Sequence, residues 1–262
     1  MEAGPDGGAS GKAYDRWFLL GEKRNELLAR WEVEQYGRDN FGDPDYVSIY
    51  GLAPREWYAR GVRILGRTAV ECTRDRLADR IGRDVAAVTR AACAASPLAI
   101  DLFAGSANTL HWMARHAGAR QAIAFELDDA VFALTRANLS AMGLDIDLRH
   151  DSYEHGLTAL GDPDADLLIV FVAPPWGRAL DPESGLDLRR TQPPVADVVD
   201  ATTSVLGRHK LLFAVQIHET VEPASFAELT ARFPWFATMI YDLNIPGQNA
   251  GLVLATHGWT PA

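Results

Sequence analysis

The pattern of apolar and polar positions changes character near residue 97. Before that point apolar side chains recur at roughly helical spacing, and after it short apolar runs alternate with helical stretches. This change predicts a helical extension over residues 14–97, followed by an α/β domain over residues 98–262. Residues 1–13 are rich in Gly and Ala, which predicts a disordered tail.

Within the extension, the spacing of aromatic and leucine side chains predicts a helix over residues 14–36. Residues 37–54 carry Gly and Pro among aromatic side chains, which is typical of an ordered loop. A second helix is expected over residues 54–65. Thr73 offers an N-cap for a third helix, which we expect to end near Gly82.

The second part contains the expected strands, at residues 98–103, 121–126, 145–150, 166–172, 210–216, 237–243 and 251–255. Helices are expected between them, over residues 107–117, 128–142, 195–207 and 223–232. The nearly continuous hydrophobicity of the fourth run is typical of a central parallel strand that is covered on both faces. A turn-rich segment before the last run predicts a closing antiparallel hairpin. The expected α/β fold is therefore Rossmann-like, a doubly wound and mostly parallel seven-stranded sheet preceded by the helical extension.

Acidic side chains stand at or next to the ends of the first three predicted strands. Glu126 lies 25 residues after Asp101, and Asp151 lies 25 residues after Glu126. Ligands of open α/β sheets bind at the carboxyl ends of the strands, and an acid at the second strand tip can bind both hydroxyls of a ribose. Glu126 therefore predicts a cofactor that contains a nucleoside. Asp151 either reaches an adenine amino group or caps a following helix.

The turn after the first strand, residues 104–107, consists of small side chains that let a cofactor approach the backbone closely. Its one glycine, Gly105, contrasts with the three glycines of a dinucleotide-binding turn, so no pyrophosphate cradle is expected. Acidic strand tips suit a cofactor that carries a sulfonium and an ammonium group. The pattern therefore favours S-adenosylmethionine (SAM) over a dinucleotide or a flavin.

The fourth predicted strand runs into Ala173-Pro174-Pro175-Trp176-Gly177. Two consecutive prolines stiffen the loop and remove N–H donors, which leaves backbone carbonyls without local partners. Such carbonyls can accept the hydrogens of an incoming amine, and Trp176 can stack on a flat ring or a cation. The loop therefore predicts an amino nitrogen as acceptor, activated by alignment rather than by a charged base. A plain proline-rich exit loop is the alternative.

With these motifs the chain resembles a class I SAM-dependent methyltransferase. Residues 173–177 are similar to the Pro-Pro-aromatic loop of methyltransferases that act on amino groups of nucleobases. Residues 101–109 and 67–81 are similar to segments of the trimethylguanosine synthase family, which methylates the 2-amino group of cap guanines. The resemblance spans roughly residues 65–180.

The resemblance implies a methyltransferase (EC 2.1.1) with SAM as cofactor and S-adenosylhomocysteine (SAH) as product. It implies that SAM is bound by Asp101, Gly105, Asn108, Glu126 and Asp151, and we place the adjacent Phe103, Thr109, Leu127 and Ser152 in the same site. It implies that the acceptor is held by Ala173, Pro174, Pro175 and Trp176. The chain departs from the family in having Ser106-Ala107 where the family has Gly-Gly, and Ala173 where it has a polar residue.

The charge of the chain bears on the acceptor. The sequence has 25 basic and 35 acidic side chains, a net charge of -10, and the whole deficit falls after residue 97. Because an acidic protein is a poor candidate for binding long nucleic acid, we expect a small-molecule or nucleotide-like acceptor. Nine arginines over residues 55–90 leave open a local basic patch, and with it an RNA-binding, cap-like RNA guanine methyltransferase.

Other interpretations stay open at this point. The same fold also serves C- or O-methyltransferases of small natural-product-like acceptors, and catalytically silent partner subunits. His218, after a later strand, is either an acceptor contact or a polar strand exit. Residues 178–194 form either an active-site lid or a surface loop. The aromatic segment 14–60 is expected to shape acceptor specificity by analogy with the fold.

The sequence predicts neither a membrane span nor a secretory signal, so a cytoplasmic protein is expected. Two cysteines, Cys72 and Cys93, are too few for a disulfide framework. The histidines lack the spacing of metal ligands, so no metal site is expected. A homo-oligomer is left open.

Overall fold

The architecture was established from a computed structural model, which describes residues 14–181, 183–243 and 249–261. The tail expected over residues 1–13 lies outside the described residues. Over the described ranges, no helix combines the length and the apolar character that crossing a bilayer requires.

The extension, whose residues 14–97 are all described, is built from short helices and one long one. In chain order these are α1 (Arg16–Leu20), α2 (Arg30–Phe41), α3 (Pro54–Ala59), α4 (Gly66–Glu71) and α5 (Asp75–Ala91).

The second part alternates strands and helices. Its strands are β1 (Pro97–Asp101), β2 (Gln121–Glu126), β3 (Asp147–His150), β4 (Leu167–Val172), β5 (Leu180–Asp181), β6 (Gly185–Leu186), β7 (Leu211–His218), β8 (Trp235–Tyr241) and β9 (Ala250–His257). Its helices are α6 (Asn108–Ala117), α7 (Asp129–Met142), α8 (Tyr153–Leu160), α9 (Val195–Leu206) and α10 (Pro223–Thr230). Strands β5 and β6 form a small separate hairpin.

The main sheet has the strand order β3-β2-β1-β4-β7-β9-β8. The first five strands of that order are parallel, and β9 runs antiparallel between β7 and β8. Winding reverses between β1 and β4, where Asp101 lies opposite Phe171. The predicted Rossmann-like sheet with a closing antiparallel hairpin is thereby confirmed.

Strand β4 is buried along its whole length, because helices cover both faces of the sheet. On one face Leu168 and Val170 belong to an apolar cluster that includes residues of α8 and α9. On the other, Ile169 and Phe171 pack in a cluster with residues of α5 and α6. Alternate side chains of β4 therefore belong to two apolar cores, one on each face of the sheet.

The helices expected over 14–36 and 54–65 are wrong in extent. Between α1 and α2, Leu27 forms an isolated antiparallel bridge with Leu65, and the Leu28 N–H donates to the Ile64 carbonyl at 3.0 Å. These residues therefore pair with each other instead of lying in helices. Helix α3 ends at Ala59, shortly before Gly61, whose left-handed φ of 89° does not continue a helix.

The third helix is longer than predicted. It begins at Asp75 with Arg74 as N-cap rather than Thr73, and it runs through Gly82 to Ala91. Gly82 is a packing residue here, since a Cβ atom would lie 2.7 Å from the Trp112 carbonyl oxygen of α6. The glycine therefore allows close helix contact instead of ending the helix. Helix α8 lies where the sequence offered a helix after Asp151 as one alternative, without bounds.

Part of the segment 178–194 packs against the sheet. Leu186 and Leu188 are buried in the same cluster as β4, and the Leu186 N–H donates to the Thr220 carbonyl at 2.9 Å. The segment is therefore anchored beside the end of β7. The domain boundary expected at residue 97 stays a prediction.

Candidate active site

The carboxyl ends of β1 and β4 lie side by side and then separate. The Leu102 N–H still bonds to the Phe171 carbonyl at 3.2 Å, and beyond this point each chain turns away. The turn after β1 and the start of α6 form what we call the cofactor loop (residues 104–109), and the turn after β4 forms the acceptor loop (residues 173–176). The two loops border the crevice at which an open α/β sheet binds its ligand.

The cofactor loop is tied to the tip of β2. Gly105 has a φ of 50°, a left-handed conformation, and its N–H donates to Glu126 Oε2 at 2.8 Å. The other carboxylate oxygen accepts the Asp128 N–H at 2.9 Å. From α7, the Thr135 hydroxyl donates to the Gly105 carbonyl at 2.7 Å. Burial raises the pKa of Glu126, and the two N–H donors oppose that shift.

Asp101 is the most deeply buried acid at the strand tips. It is 1% exposed, and its carboxylate accepts the Phe103 N–H at 3.0 Å. Burial raises its pKa to about 7. Among the described residues, no Lys or Arg forms an ion pair with it. A buried carboxyl group without a cation fits a ligand that brings positive charge, as SAM does.

At the third strand tip, the alternative that Asp151 caps the following helix is wrong. Ser152, not Asp151, is the N-cap of α8, and its hydroxyl accepts the His155 N–H at 3.2 Å. Asp151 bonds to His155 Nδ1 at 2.6 Å, and this hydrogen bond lowers the pKa of Asp151. Leu127, beside Glu126, is 70% exposed and offers an apolar surface next to the crevice.

Asn108 and Thr109 begin α6 and are buried. The Asn108 side chain is engaged by the extension, since Oδ1 accepts the Tyr50 N–H at 2.8 Å and Nδ2 donates to the Thr73 carbonyl at 2.8 Å. Sequence reasoning did not identify Tyr50 or Thr73 as neighbours of the cofactor loop. Both lie more than thirty residues away along the chain, and no motif marks them.

The acceptor loop has the expected shortage of donors. Pro175 and Trp176 carbonyls accept N–H groups from Gln192 at 3.4 Å and Ala179 at 2.7 Å. Within the described parts of the chain, no group donates a hydrogen bond to the carbonyl oxygen of Ala173 or of Pro174. These two acceptors follow the fully buried strand β4 directly.

Trp176 is half-buried and lies near His218, at the end of β7. Their ring centroids are 6.2 Å apart and the planes are nearly perpendicular, at 88°. His218 Nδ1 lies 3.1 Å from the Thr220 backbone nitrogen and 3.2 Å from the Thr220 carbonyl oxygen. His218 thus lies beside Trp176, and whether it contacts an acceptor stays a prediction.

The arginines of residues 55–90 do not form one free basic face. Several are committed within the chain: Arg63 to Tyr58, Arg67 to Asp128, Arg74 to Tyr46, Arg80 to the Asp242 carbonyl and Arg83 to Asp79. Ion pairs and cation–π contacts of this kind reduce the positive potential available to a polyanion.

Comparison with known proteins gives one family match and several similar folds. The model of the family described as Conserved hypothetical protein 95 matches residues 86–196, less than half of the chain. No curated protein matches the sequence.

Three solved structures illustrate the similarity. Spermidine synthase from Thermotoga maritima aligns with a TM-score of 0.51 at 12% identity, covering 76% of this chain and 66% of its own. The putative methyltransferase yhhF from Escherichia coli aligns at 0.43 and 19% identity, covering 71% and 87%. The B. subtilis M1A22 tRNA methyltransferase TrmK aligns at 0.44 and 17% identity, covering 68% and 66%, just under two thirds of its length.

At these identities the structural likeness concerns the fold. The sheet order and the crevice at the β1–β4 reversal give this chain the fold that class I SAM-dependent methyltransferases share. The fold predicted from the sequence is therefore confirmed, whereas methyl transfer and specificity of the trimethylguanosine synthase kind stay predictions.

Proposed function

We propose that the chain transfers a methyl group from SAM to an amino nitrogen of a small or nucleobase-like acceptor. The observation that carries this proposal is the pair of carbonyls at Ala173 and Pro174, which point to no donor among the described residues. Buried or half-buried acceptors of this kind are normally satisfied, so a ligand with N–H groups is the expected partner.

The residues of the acceptor loop suit an amine. An amino group can donate its two hydrogens to the carbonyls of Ala173 and Pro174, which leaves the nitrogen lone pair directed away from the loop. Pro174 and Pro175 supply no competing N–H and hold the backbone in a fixed conformation. Since a neutral amine needs no deprotonation before it attacks, the chain does not have to supply a general base.

Trp176 and His218 favour a flat acceptor. The indole face is suited to stacking on an aromatic ring. In the tautomer that carries its proton on Nε2, His218 can donate to a carbonyl oxygen or a ring nitrogen of the same ring, groups that nucleobases and related heterocycles carry. These two side chains support a base-like acceptor in preference to an aliphatic amine.

The other side of the crevice suits the cofactor. When bound, SAM supplies an electrophilic methyl group on a positively charged sulfur. Glu126 can accept hydrogen bonds from ribose hydroxyls while its N–H partners hold it in place, and Asp101 offers negative charge to the cationic part. Leu127 and Asp151 remain our choice for the adenine, the first by apolar contact and the second by accepting from an amino group.

A labelling experiment tests the proposal. The protein is incubated with SAM carrying a tritiated methyl group and, in separate reactions, with the common nucleosides, their monophosphates, heterocyclic and aliphatic amines, and a short capped RNA. Products are then located by mass spectrometry. We expect N-methylation of at least one heterocyclic amine, and loss of the product with Trp176→Ala.

Three outcomes would overturn the proposal. Label on oxygen or carbon would show that the acceptor loop aligns another nucleophile. Binding of SAH without transfer to any acceptor would favour the catalytically silent partner subunit. Transfer to the capped RNA alone, with an affinity that falls steeply with salt, would replace the small acceptor by RNA.

A further inference from the structure

Two non-glycine residues in left-handed conformation meet at the cofactor loop. In the described parts of the chain, positive φ outside glycine occurs at Tyr50, Cys93 and Ala107. Tyr50 and Ala107 both have a φ of 56°, and both are buried. Left-handed backbone is unfavourable for side chains with a Cβ, so a residue held there is held by its surroundings.

Tyr50 bonds to the residues on both sides of Ala107. Its hydroxyl donates to the Ser106 carbonyl at 2.5 Å, and its backbone N–H donates to Asn108 Oδ1 at 2.8 Å. Asn108 is fixed further by the Thr73 carbonyl, which its Nδ2 contacts at 2.8 Å. Ala107 itself is closed into a tight turn, because its N–H bonds to the Ala104 carbonyl at 2.6 Å.

These contacts explain how the loop works without glycine at this position. At position 107 a glycine would adopt the left-handed conformation at little cost in free energy, whereas for alanine the conformation is unfavourable. Contacts from the extension take the place of the missing glycine, because Tyr50 bonds to the carbonyl of Ser106, before Ala107, and to the side chain of Asn108, after it. The same loop presents the Gly105 N–H to Glu126, so its conformation determines the shape of the cofactor side.

We propose that Tyr50 is a positioning residue for SAM: it holds the cofactor loop in its binding conformation in place of glycine at position 107. This inference rests on the proposed use of SAM, and it assigns the extension a role in cofactor affinity in addition to acceptor recognition. Tyr50 acts through the loop backbone.

The test is a double-mutant cycle on SAH affinity, measured by isothermal titration calorimetry. Tyr50→Phe removes one hydroxyl and keeps the ring, and Ala107→Gly removes the conformational cost that the hydroxyl helps to offset. We expect Tyr50→Phe to weaken SAH binding about tenfold, the size of one hydrogen bond. In the Ala107→Gly background, the same substitution should weaken binding less than threefold.

Tyr36→Phe is the matched control. Tyr36 is buried in the same apolar cluster as Tyr50. Removing its hydroxyl group should leave the SAH affinity within twofold of that of the unsubstituted protein. Circular dichroism melting distinguishes a loop effect from unfolding, because a folded Tyr50→Phe protein with weakened binding supports the positioning role. Rescue by Ala107→Gly is the response that a general loss of stability would not give.

The failures can be told apart. If the unsubstituted protein does not bind SAH, the proposed function fails and this inference fails with it. If it binds SAH and Tyr50→Phe binds equally well, or if the tenfold loss is the same with Gly at position 107, the inference alone is overturned.

Discussion

The backbone N–H of Gly105 donates to the Glu126 carboxylate at 2.8 Å, joining the loop after β1 to the tip of β2. Because the same carboxylate accepts the Asp128 N–H, its position is fixed before any ligand arrives. Glu126→Ala removes the expected partner of both ribose hydroxyls as well as this tie. We expect SAH affinity to fall about 100-fold, the loss of two hydrogen bonds to a charged group, measured by calorimetry.

Asp129→Ala is the control for that substitution. Asp129 is an exposed acid in the first turn of α7, close in sequence to Glu126 but without a bond to the cofactor loop. Its removal changes the net charge equally and should alter SAH affinity less than threefold. Equal losses in the two variants would mean that Glu126 acts only through general electrostatics.

The buried carboxyl group of Asp101 should lower the stability of the folded protein while it favours binding of SAM. Its pKa in the folded chain is raised to about 7, whereas in the unfolded chain it lies near the ordinary value of about 4. Between these values the folded state holds a proton that the unfolded state releases, so this group makes stability fall as pH rises from about 4 to 7. Asp101→Asn should therefore raise the melting temperature more at pH 8 than at pH 5, while weakening SAM binding.

The exposed carboxylate of Asp164 provides the comparison. Asp164→Asn should leave the melting temperature within about 1 °C of the parent at both pH values, because surface ion pairs contribute little. A melting temperature of Asp101→Asn that is unchanged or lower at pH 8 would show that Asp101 is not a buried, destabilising charge.

Trp176 should separate binding of the two substrates. Trp176→Ala removes the ring that is expected to stack on the acceptor but leaves the cofactor loop intact. We expect SAH affinity within twofold of the parent and a fall in kcat/KM for the acceptor of about 100-fold. Trp176→Phe, which keeps an aromatic face, should recover at least a tenth of the activity. If SAH affinity falls as far as it does in Glu126→Ala, the division into cofactor and acceptor sides is wrong.

Gly82 tests the packing of α5 against α6. Helix propensity alone predicts that Gly82→Ala would stabilise the protein by about 1 kcal/mol. The Cβ would however lie 2.7 Å from the Trp112 carbonyl oxygen and 2.8 Å from the His116 ring. We therefore expect a net destabilisation of about 1–2 kcal/mol, measured by urea denaturation. A stabilised variant would show that the two helices can separate at no cost.

The sheet was predictable because its signals are local. Each buried strand is a short apolar run, and parallel strands have their carboxyl ends at one edge of the sheet. The sequence therefore predicts that Asp101 and Glu126 lie at the same edge. The hairpin at the end followed from a turn-rich segment between two apolar runs. These inferences need no knowledge of contacts between distant residues.

The extension was less predictable because its structure depends on distant pairing. Leu27 bridges Leu65 across 38 residues, and both residues lie outside helices although the local spacing predicts helix there. Tyr50 bonds to Ser106 and Asn108, which are more than fifty residues away in the sequence. Its backbone is left-handed, and the residue type tyrosine does not predict that conformation. The local sequence predicts a helix end at Gly82, because the close contact with the neighbouring helix α6 is not visible in the local sequence.

In the proposed arrangement, one crevice holds SAM on the β1–β2 side and an amine on the β4 side. A crystal structure of the protein with SAH is the most direct test. We predict that the ribose hydroxyls bond to the Glu126 carboxylate and that the sulfur faces the carbonyls of Ala173 and Pro174. SAH bound elsewhere, or with its sulfur directed away from residues 173–176, would rule out this arrangement.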